Sequence, residues 1–433
     1  MATLDLSQTT CLEPMLAVLS KIVQSSRIPF QVRSFRYQWP ADLFASWAFE
    51  MEILVLGWYV LVESNSVLML VVYGALQYTG SLISPFFGIA GDRFGYRSLF
   101  MLTRGLYACL AMSIALLGFY DLLSPVVVIV LASIVGVVRP SDMMMRYALI
   151  GQTQPADQMT AALGLSRMTS DSARIAGALA GASVFAQFGL VPAYVVITLL
   201  YVVSFIFSRG VAGRTQHAGQ PVSSASPLRD LKEAFVYAWD KPELLGPIAI
   251  AFLINLLAFP FSLGLLPYIA RTIYEVDQTG LGLLSASFSI GALLGSLVLG
   301  TNIFSLGTAR AMFIATVCWF GLLLIFAPLT SFSAGVVILL CAGFAQSMCM
   351  TPLAAVMLRS TDPKFRGRIM GLRVLAIWGL PLGLLISGPL ISSIGFVWTT
   401  VLYTTLGIVA TVSVAWKWRD RLWQVGAPAN RHG

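Results

Sequence analysis

Charged residues inside long apolar segments are the features of this sequence that point most directly to chemistry. A charge at the centre of a bilayer costs about 2.5–3.5 kcal/mol, so such residues commonly mark a substrate path or a proton relay. The second half of the chain has no acidic residue clearly inside an apolar segment, so a proton-carrying carboxylate is predicted in the first half. The candidates there are Glu50, Glu52, Arg139, Asp142, Arg146, Arg167, Asp171 and Arg174.

Glu50 and Glu52 are the candidates for proton coupling. Residues two apart on a helix point about 200° away from each other, so only one of these glutamates can face a central cavity. We expect one to carry the proton, since a partly desolvated carboxylate can exchange protons near neutrality, and the other to be a structural partner. Glu52 is preferred because Glu50 lies nearer the end expected to be cytoplasmic. The alternative is that both glutamates pair permanently with arginines.

The charged residues of the fourth and fifth apolar segments form two arginine-rich clusters, which are Arg139, Asp142 and Arg146, and Arg167, Asp171 and Arg174. Each cluster lies on one helical face, because its spacings are three, four and seven residues. Each cluster can neutralise its own aspartate and leave one surplus arginine. The surplus cations could receive an anionic or catecholate substrate, or they could offset the two glutamates. A structural ion-pair cluster is the other interpretation, and we favour it for Arg146 and Arg167. Arg139 is the better candidate for substrate binding, and the second half offers Asn255 and Gln346 as polar cavity residues.

The composition shows which elements must position these residues. Of 433 residues, 58% are hydrophobic and 11% charged, whereas soluble domains carry roughly a quarter charged residues. Twelve apolar segments are long enough to span a bilayer, and the sequence predicts an all-α membrane protein with two pseudo-symmetric six-helix bundles. The segments are 41–62, 66–90, 98–120, 124–150, 159–186, 190–208, 244–268, 280–302, 309–329, 333–358, 367–393 and 396–416.

Five regions follow from these segments. They are an amino-terminal segment (1–37), a first bundle (38–208), a linker (209–243), a second bundle (244–416) and a tail (417–433). In the linker, Leu228, Leu231, Phe235 and Trp239 recur at helical spacing, which predicts an amphipathic helix at the membrane surface.

Lysine and arginine also fix the expected orientation. If both termini are cytoplasmic, Arg271 is the only lysine or arginine in the connections on the outer side of the membrane. Basic residues concentrate on the cytoplasmic side of membrane proteins, so this asymmetry predicts both termini inside and accounts for the net charge of +8 without nucleic acid.

A glycine-rich motif, Gly88-x-x-x-Asp92-Arg93-x-Gly95-x-Arg97, lies between the second and third segments. Its glycines allow close helix approach, and its charged residues can cap helices and form breakable ion pairs. The stretch 84–97 aligns with 296–309, which supports two repeated halves around a midplane site.

A second motif, Asp362-Pro-Lys-Phe-Arg366-Gly367-Arg368-Ile-Met-Gly371, precedes the eleventh segment. Together the two motifs resemble the major facilitator superfamily, and the second resembles its bacterial branch related to the enterobactin exporter and to macrolide efflux proteins. That resemblance implies a closing cytoplasmic gate made by the first motif with Arg366, Gly367 and Arg368. It also implies that Arg139 matches the arginine that superfamily antiporters carry in their fourth span.

These observations predict a bacterial inner-membrane exporter of small drug- or siderophore-like molecules that works by alternating access coupled to protons. An uptake permease or a transporter of iron or another inorganic ion is one alternative, and a non-transporting membrane sensor or assembly factor is another. The chain has no nucleotide-binding loop, zinc spacing or nucleophile elbow, so we expect no enzymatic activity, cofactor or metal site. The expected partners of a monomer are a small-molecule substrate, protons and the lipid bilayer.

Overall fold

The computed structural model describes residues 28–81, 90–91, 94–155, 158–212, 227–239, 241–300, 308–362 and 365–422, and these are nearly all helical. Nine of the described helices are long and apolar enough to cross a membrane. One of them continues through Gly395, where φ is 82°, and this break divides it into two spans. The second span is short within the described residues, and the fifth, Met159–Phe188, carries three charged residues.

The twelve spans are numbered here in chain order, and the predicted fold class is confirmed. Spans one to six are Arg33–Ser64, Val67–Leu76, Tyr96–Phe119, Pro125–Thr153, Met159–Phe188 and Leu190–Ser208. Spans seven to ten are Pro242–Leu257 with its continuation through Ile273, Gln278–Gly300, Thr308–Phe326 and Phe332–Arg359. Span eleven consists of Arg366–Leu375 and the part of the helix Gly379–Leu422 that precedes the break at Gly395. Span twelve is the part of that helix after the break.

The first span begins earlier than its apolar segment suggests. Helix starts at Arg33, and the added turns carry Arg36 and Gln38 among their polar residues, while Asp42 follows just inside the apolar segment. Gln38 and Asp42 are nevertheless buried, because other helices of the first bundle cover them. Hydropathy alone does not detect polar turns of this kind.

Small residues bring the fifth span close to the first. A methyl group added at Gly177 would lie 2.8 Å from Cβ of Glu50, and one added at Gly181 would lie 2.9 Å from Cα of Met51. Glycine is therefore required for this spacing, as is common where membrane helices pack closely. The contact places Glu50 directly beside the fifth span.

The linker forms a helix over Pro227–Trp239 that packs against the start of the eleventh span. Ala234 and Ala238 are fully buried in this contact, whereas Phe235 and Trp239 are exposed. The ring of Tyr237 stacks on that of Phe365 with centroids 4.3 Å apart. The linker helix is thus held to the second half with an apolar face left uncovered.

The two halves of the chain meet in the part of the molecule away from the linker. We call the side that carries the linker helix the linker side and the other the far side. Close contacts join the first span to the seventh, the second to the eleventh and the fifth to the eighth, all in their far-side portions. At the fifth and eighth spans, a methyl group on Gly282 would lie 2.5 Å from Cβ of Ala182. In addition, Arg271 Nη1 donates a 2.9 Å hydrogen bond to the carbonyl oxygen of Leu61.

We predict that Gly282→Leu opens the far side, because the larger side chain cannot fit against Ala182. With spin labels at the exposed positions Leu122 and Thr330, the distance distribution should shift to longer values. Gly321→Leu is the matched control, since no heavy atom lies within 4 Å of a methyl group added there. An unchanged distance in Gly282→Leu would contradict the assignment of this contact as the far-side closure.

Candidate functional site

A narrow cavity of about 130 Å³ lies between the two halves. Nearly all of its polar and charged lining comes from the first half, and its second-half wall is almost entirely apolar. The first half contributes Glu50, Tyr73, Gln77, Tyr78, Arg139 and Arg174 among its lining residues. The second half contributes Leu263, Gly264, Leu266, Pro267, Leu281, Ser285, Leu380 and Leu384. The cavity therefore suits a molecule with one polar and one apolar end.

Glu50 and Arg174 form the ionic centre of the polar wall. The Arg174 Nε atom lies 3.7 Å from Glu50 Oε1, which is within ion-pair range but too long for a hydrogen bond. The side chain of Arg174 is 38% exposed and that of Glu50 is 20% exposed. Arg139 places its guanidinium over the ring of Phe49 and contributes a second cation. With two cations to one anion, the wall carries a net positive charge, and the loose pair can exchange partners.

Glu52 lies on the opposite face of the first span. Its side chain is buried, and it accepts hydrogen bonds from Tyr201 Oη at 2.8 Å and from Tyr194 Oη at 3.4 Å. Both tyrosines belong to the sixth span, inside the first bundle. Glu50, and not the preferred Glu52, therefore lines the cavity, because the relative depth of the two residues did not reveal which neighbours each face meets. Which of the two carries a proton stays a prediction.

Four buried side chains form an alternating ion cluster elsewhere in the first bundle, which we call the ion quartet: Asp42, Arg104, Asp142 and Arg146. Arg104 Nη2 lies 2.9 Å from Asp42 and 3.0 Å from Asp142. Arg146 lies 3.1 Å from Asp42 and 2.9 Å from Asp142. Two cations face two anions, so the quartet is neutral and its charges are satisfied within the protein.

Sequence reasoning predicted only half of the ion quartet. Pairing of Asp142 with Arg146 follows from their spacing on one helix, but Asp42 and Arg104 were missed. Arg104 lies inside the third apolar segment, so it has the same signal as the other candidates, which are charged residues within predicted spans. Asp42 was hidden by its place at the very start of the first apolar segment.

The charged residues of the fifth span separate into two pairs. Arg167 Nε lies 3.2 Å from Asp171 Oδ2, while Arg174 turns to Glu50. Arg174 is thus the surplus arginine of the fifth span, and it offsets the charge of Glu50, as one of the two predictions for the surplus arginines states. Arg167 precedes Arg174 by two helical turns on the same face and is 63% exposed. The face that lines the cavity becomes more accessible toward the linker side.

The polar cavity residues expected from the second half lie elsewhere. Asn255 is buried, and its Nδ2 donates to the Ala251 carbonyl oxygen of its own helix at 2.8 Å. Gln346 is half-buried in the tenth span. Neither of these two described residues lines the cavity, where Ser285 supplies a hydroxyl group instead. Helical spacing alone does not indicate which polar residue of a span faces its partner half.

Comparison with known proteins identifies the fold and family. A family model described as the Major Facilitator Superfamily matches residues 43–372 and, separately, residues 248–431. The chain belongs to the major facilitator superfamily. No curated protein matches it in sequence.

Among solved structures of similar fold, the POT family transporter PepTSo has a TM-score of 0.72 at 10% identity, with 90% of this chain and 99% of that chain covered. A D-xylose-proton symporter has a TM-score of 0.68 at 10% identity, covering 91% and 98%. The nucleoside transporter NupG has a TM-score of 0.66 at 14% identity, covering 89% and 99%. At these identities the similarity shows the fold, which in this superfamily is that of a multi-pass membrane transporter rather than an enzyme.

The glycine-rich motif of residues 88–97 lies only partly within the described residues. Gly88, Asp92 and Arg93 lie outside the described residues. Gly95 has a φ of 85°, a conformation that glycine adopts without strain. Arg97 Nη2 donates a 3.0 Å hydrogen bond to the carbonyl oxygen of Arg209 at the end of the sixth span. Of the second motif, Arg366, Gly367 and Arg368 begin the eleventh span, and their side chains lie outside the description.

We predict that Arg104→Gln destabilises the protein by about 3–5 kcal/mol, because it leaves the aspartates of the ion quartet with one buried arginine. Thermal unfolding in detergent, followed by tryptophan fluorescence, measures the loss. Arg167→Gln is the matched control and should cost less than about 1 kcal/mol, since its ion pair is exposed to solvent.

Combining Arg104→Gln with Asp42→Asn restores a neutral cluster, so the double variant should be more stable than the sum of the two single losses predicts. Equal losses in Arg104→Gln and Arg167→Gln would show that the quartet does not stabilise the bundle.

Proposed function

We propose that this protein is a proton-coupled exporter of small drug- or siderophore-like molecules in a bacterial inner membrane. The observation that carries the proposal is the loosely paired carboxylate of Glu50 in a cavity between two transporter halves. Export is supported by the resemblance of the Asp362–Gly371 motif to the bacterial exporter branch. Proton coupling is supported by the chemistry of Glu50, because a carboxylate that is partly shielded from water can exchange protons.

Competition for Glu50 provides a coupling mechanism. When a proton binds the carboxylate, the attraction to Arg174 is lost, and the hydrogen-bond acceptor that the substrate needs is neutralised. A substrate with hydroxyl or ammonium donors binds the ionised form, while its apolar part lies against the leucines of the second half. Because proton and substrate exclude each other, inward movement of one can drive outward movement of the other.

Access to the cavity alternates in this mechanism. The close contacts on the far side, together with the exposure of Arg167, support an arrangement open toward the linker side. The excess of lysine and arginine on the linker side supports placing it in the cytoplasm. Drug-sized ligands occupy sites of roughly 300–1,000 Å³, so the 130 Å³ cavity must widen when a substrate enters. Separation of the two halves supplies that volume.

A second candidate is uptake of organic anions by proton symport. The polar wall has two arginines for one glutamate, and an anion that takes Arg174 from Glu50 leaves that carboxylate without its ion-pair partner. Proton and anion would then bind together and move in the same direction. The pH dependence of affinity separates the two candidates: export by competition requires weaker substrate binding at acidic pH, and symport requires tighter binding.

A thermal-shift screen of the purified protein with catecholates, macrolides and ferrous iron supplies the ligand for these tests. The described part of the chain contains no group of three or more His, Cys, Asp or Glu residues able to hold a metal ion. An organic ligand is therefore the first expectation from the screen. A non-transporting sensor would bind a ligand without moving it across proteoliposome membranes.

We predict that Glu50→Gln abolishes substrate-driven proton movement in proteoliposomes, measured with a pH-sensitive dye trapped inside. Glutamine keeps the size of the side chain but cannot release a proton. Glu52→Gln is the matched control in the same helix, and it should retain coupling, because Glu52 is enclosed by Tyr194 and Tyr201. Coupling that survives in Glu50→Gln and is lost in Glu52→Gln would transfer the carrier role to Glu52.

A further inference from the structure

An apolar groove of about 710 Å³ opens on the outer surface of the second half, at the linker side. The seventh span, the eleventh span and the end of the twelfth span form its walls, and the end of the linker helix closes one edge. Leu245, Ile248, Ala249 and Phe252 contribute carbon atoms from the seventh span. The groove is separate from the central cavity, and its size is that of a ligand site.

Among the described residues that line this groove, Lys417 is the only charged one. Its side chain is exposed, and among the described residues no carboxylate lies within ion-pair distance of it. Trp418 lines the groove beside it, and its ring centroid is 5.4 Å from Lys417 Nζ. The groove thus has a long apolar body and a cationic end.

The surroundings locate this end of the groove at the membrane surface. Trp239 and Trp418 both line the groove near the ends of their helices, and tryptophan is enriched where hydrocarbon meets headgroups. Phe235 and Trp239 leave an apolar face of the linker helix uncovered, which lipid covers more favourably than water. An acyl chain fits the body of the groove and an anionic headgroup complements Lys417.

We propose that the groove holds one anionic phospholipid from the linker-side leaflet, with its phosphate at Lys417 and an acyl chain along the seventh span. The lipid would connect the linker helix to the seventh, eleventh and twelfth spans. It would not enter the central cavity, so the proposal stands independently of the transported substrate.

Native mass spectrometry of the delipidated full-length protein tests this proposal, with equimolar phosphatidylglycerol and phosphatidylcholine of identical acyl chains. The first lipid bound should be mainly phosphatidylglycerol. Lys417→Gln should lower that preference about fivefold, since one basic residue near an anionic headgroup contributes on this scale. Lys232→Gln removes an exposed charge from the linker helix outside the groove and should leave the preference unchanged.

Ala249→Phe tests the apolar body of the groove without changing charge. By filling the groove, it should reduce binding of the first lipid molecule for both headgroups. The proposal is overturned if phosphatidylglycerol shows no preference over phosphatidylcholine, if Lys232→Gln lowers the preference as much as Lys417→Gln, or if Ala249→Phe leaves binding of the first lipid unchanged.

Discussion

A charge inside a bilayer must find its partner within the protein, and this constraint organises the first half of the molecule. Where pairing is complete, as in the ion quartet of Asp42, Arg104, Asp142 and Arg146, the charges are buried and neutral in sum. Where pairing is incomplete, at Glu50, Arg139 and Arg174, the side chains line the cavity. Satisfied charges hold the bundle together, and unsatisfied ones are left for a proton or a substrate.

The two halves divide the work of recognition. The first supplies every charged group that lines the cavity among the described residues, and the second supplies a surface of leucine, proline and glycine with a single serine hydroxyl. A molecule bound between them contacts ionic groups on one side and hydrocarbon on the other. When the halves separate, that molecule loses one wall and keeps the other, which is what release to either side of a membrane requires.

Much of the architecture was predictable from the sequence, because hydropathy reports directly on the cost of placing backbone and side chains in lipid. The twelve spans, the two-half arrangement and the linker helix follow from apolar run lengths and helical spacing. The opposite directions of Glu50 and Glu52 follow from helix geometry alone. Helix geometry does not show which of the two lines the cavity, because that depends on the packing of Gly177 and Gly181 against the first span. Asp42 and Arg104 belong to different spans, so no local spacing connects them.

We infer that water reaches Glu50 but not Glu52, because Glu50 lines the cavity and Glu52 is buried inside the first bundle. Cysteine substitution at each position, in a variant without native cysteines, measures this directly through the rate of modification by a small charged thiol reagent. We predict that position 50 is modified readily and that position 52 is protected. Equal reaction at the two positions, or faster reaction at position 52, would contradict it.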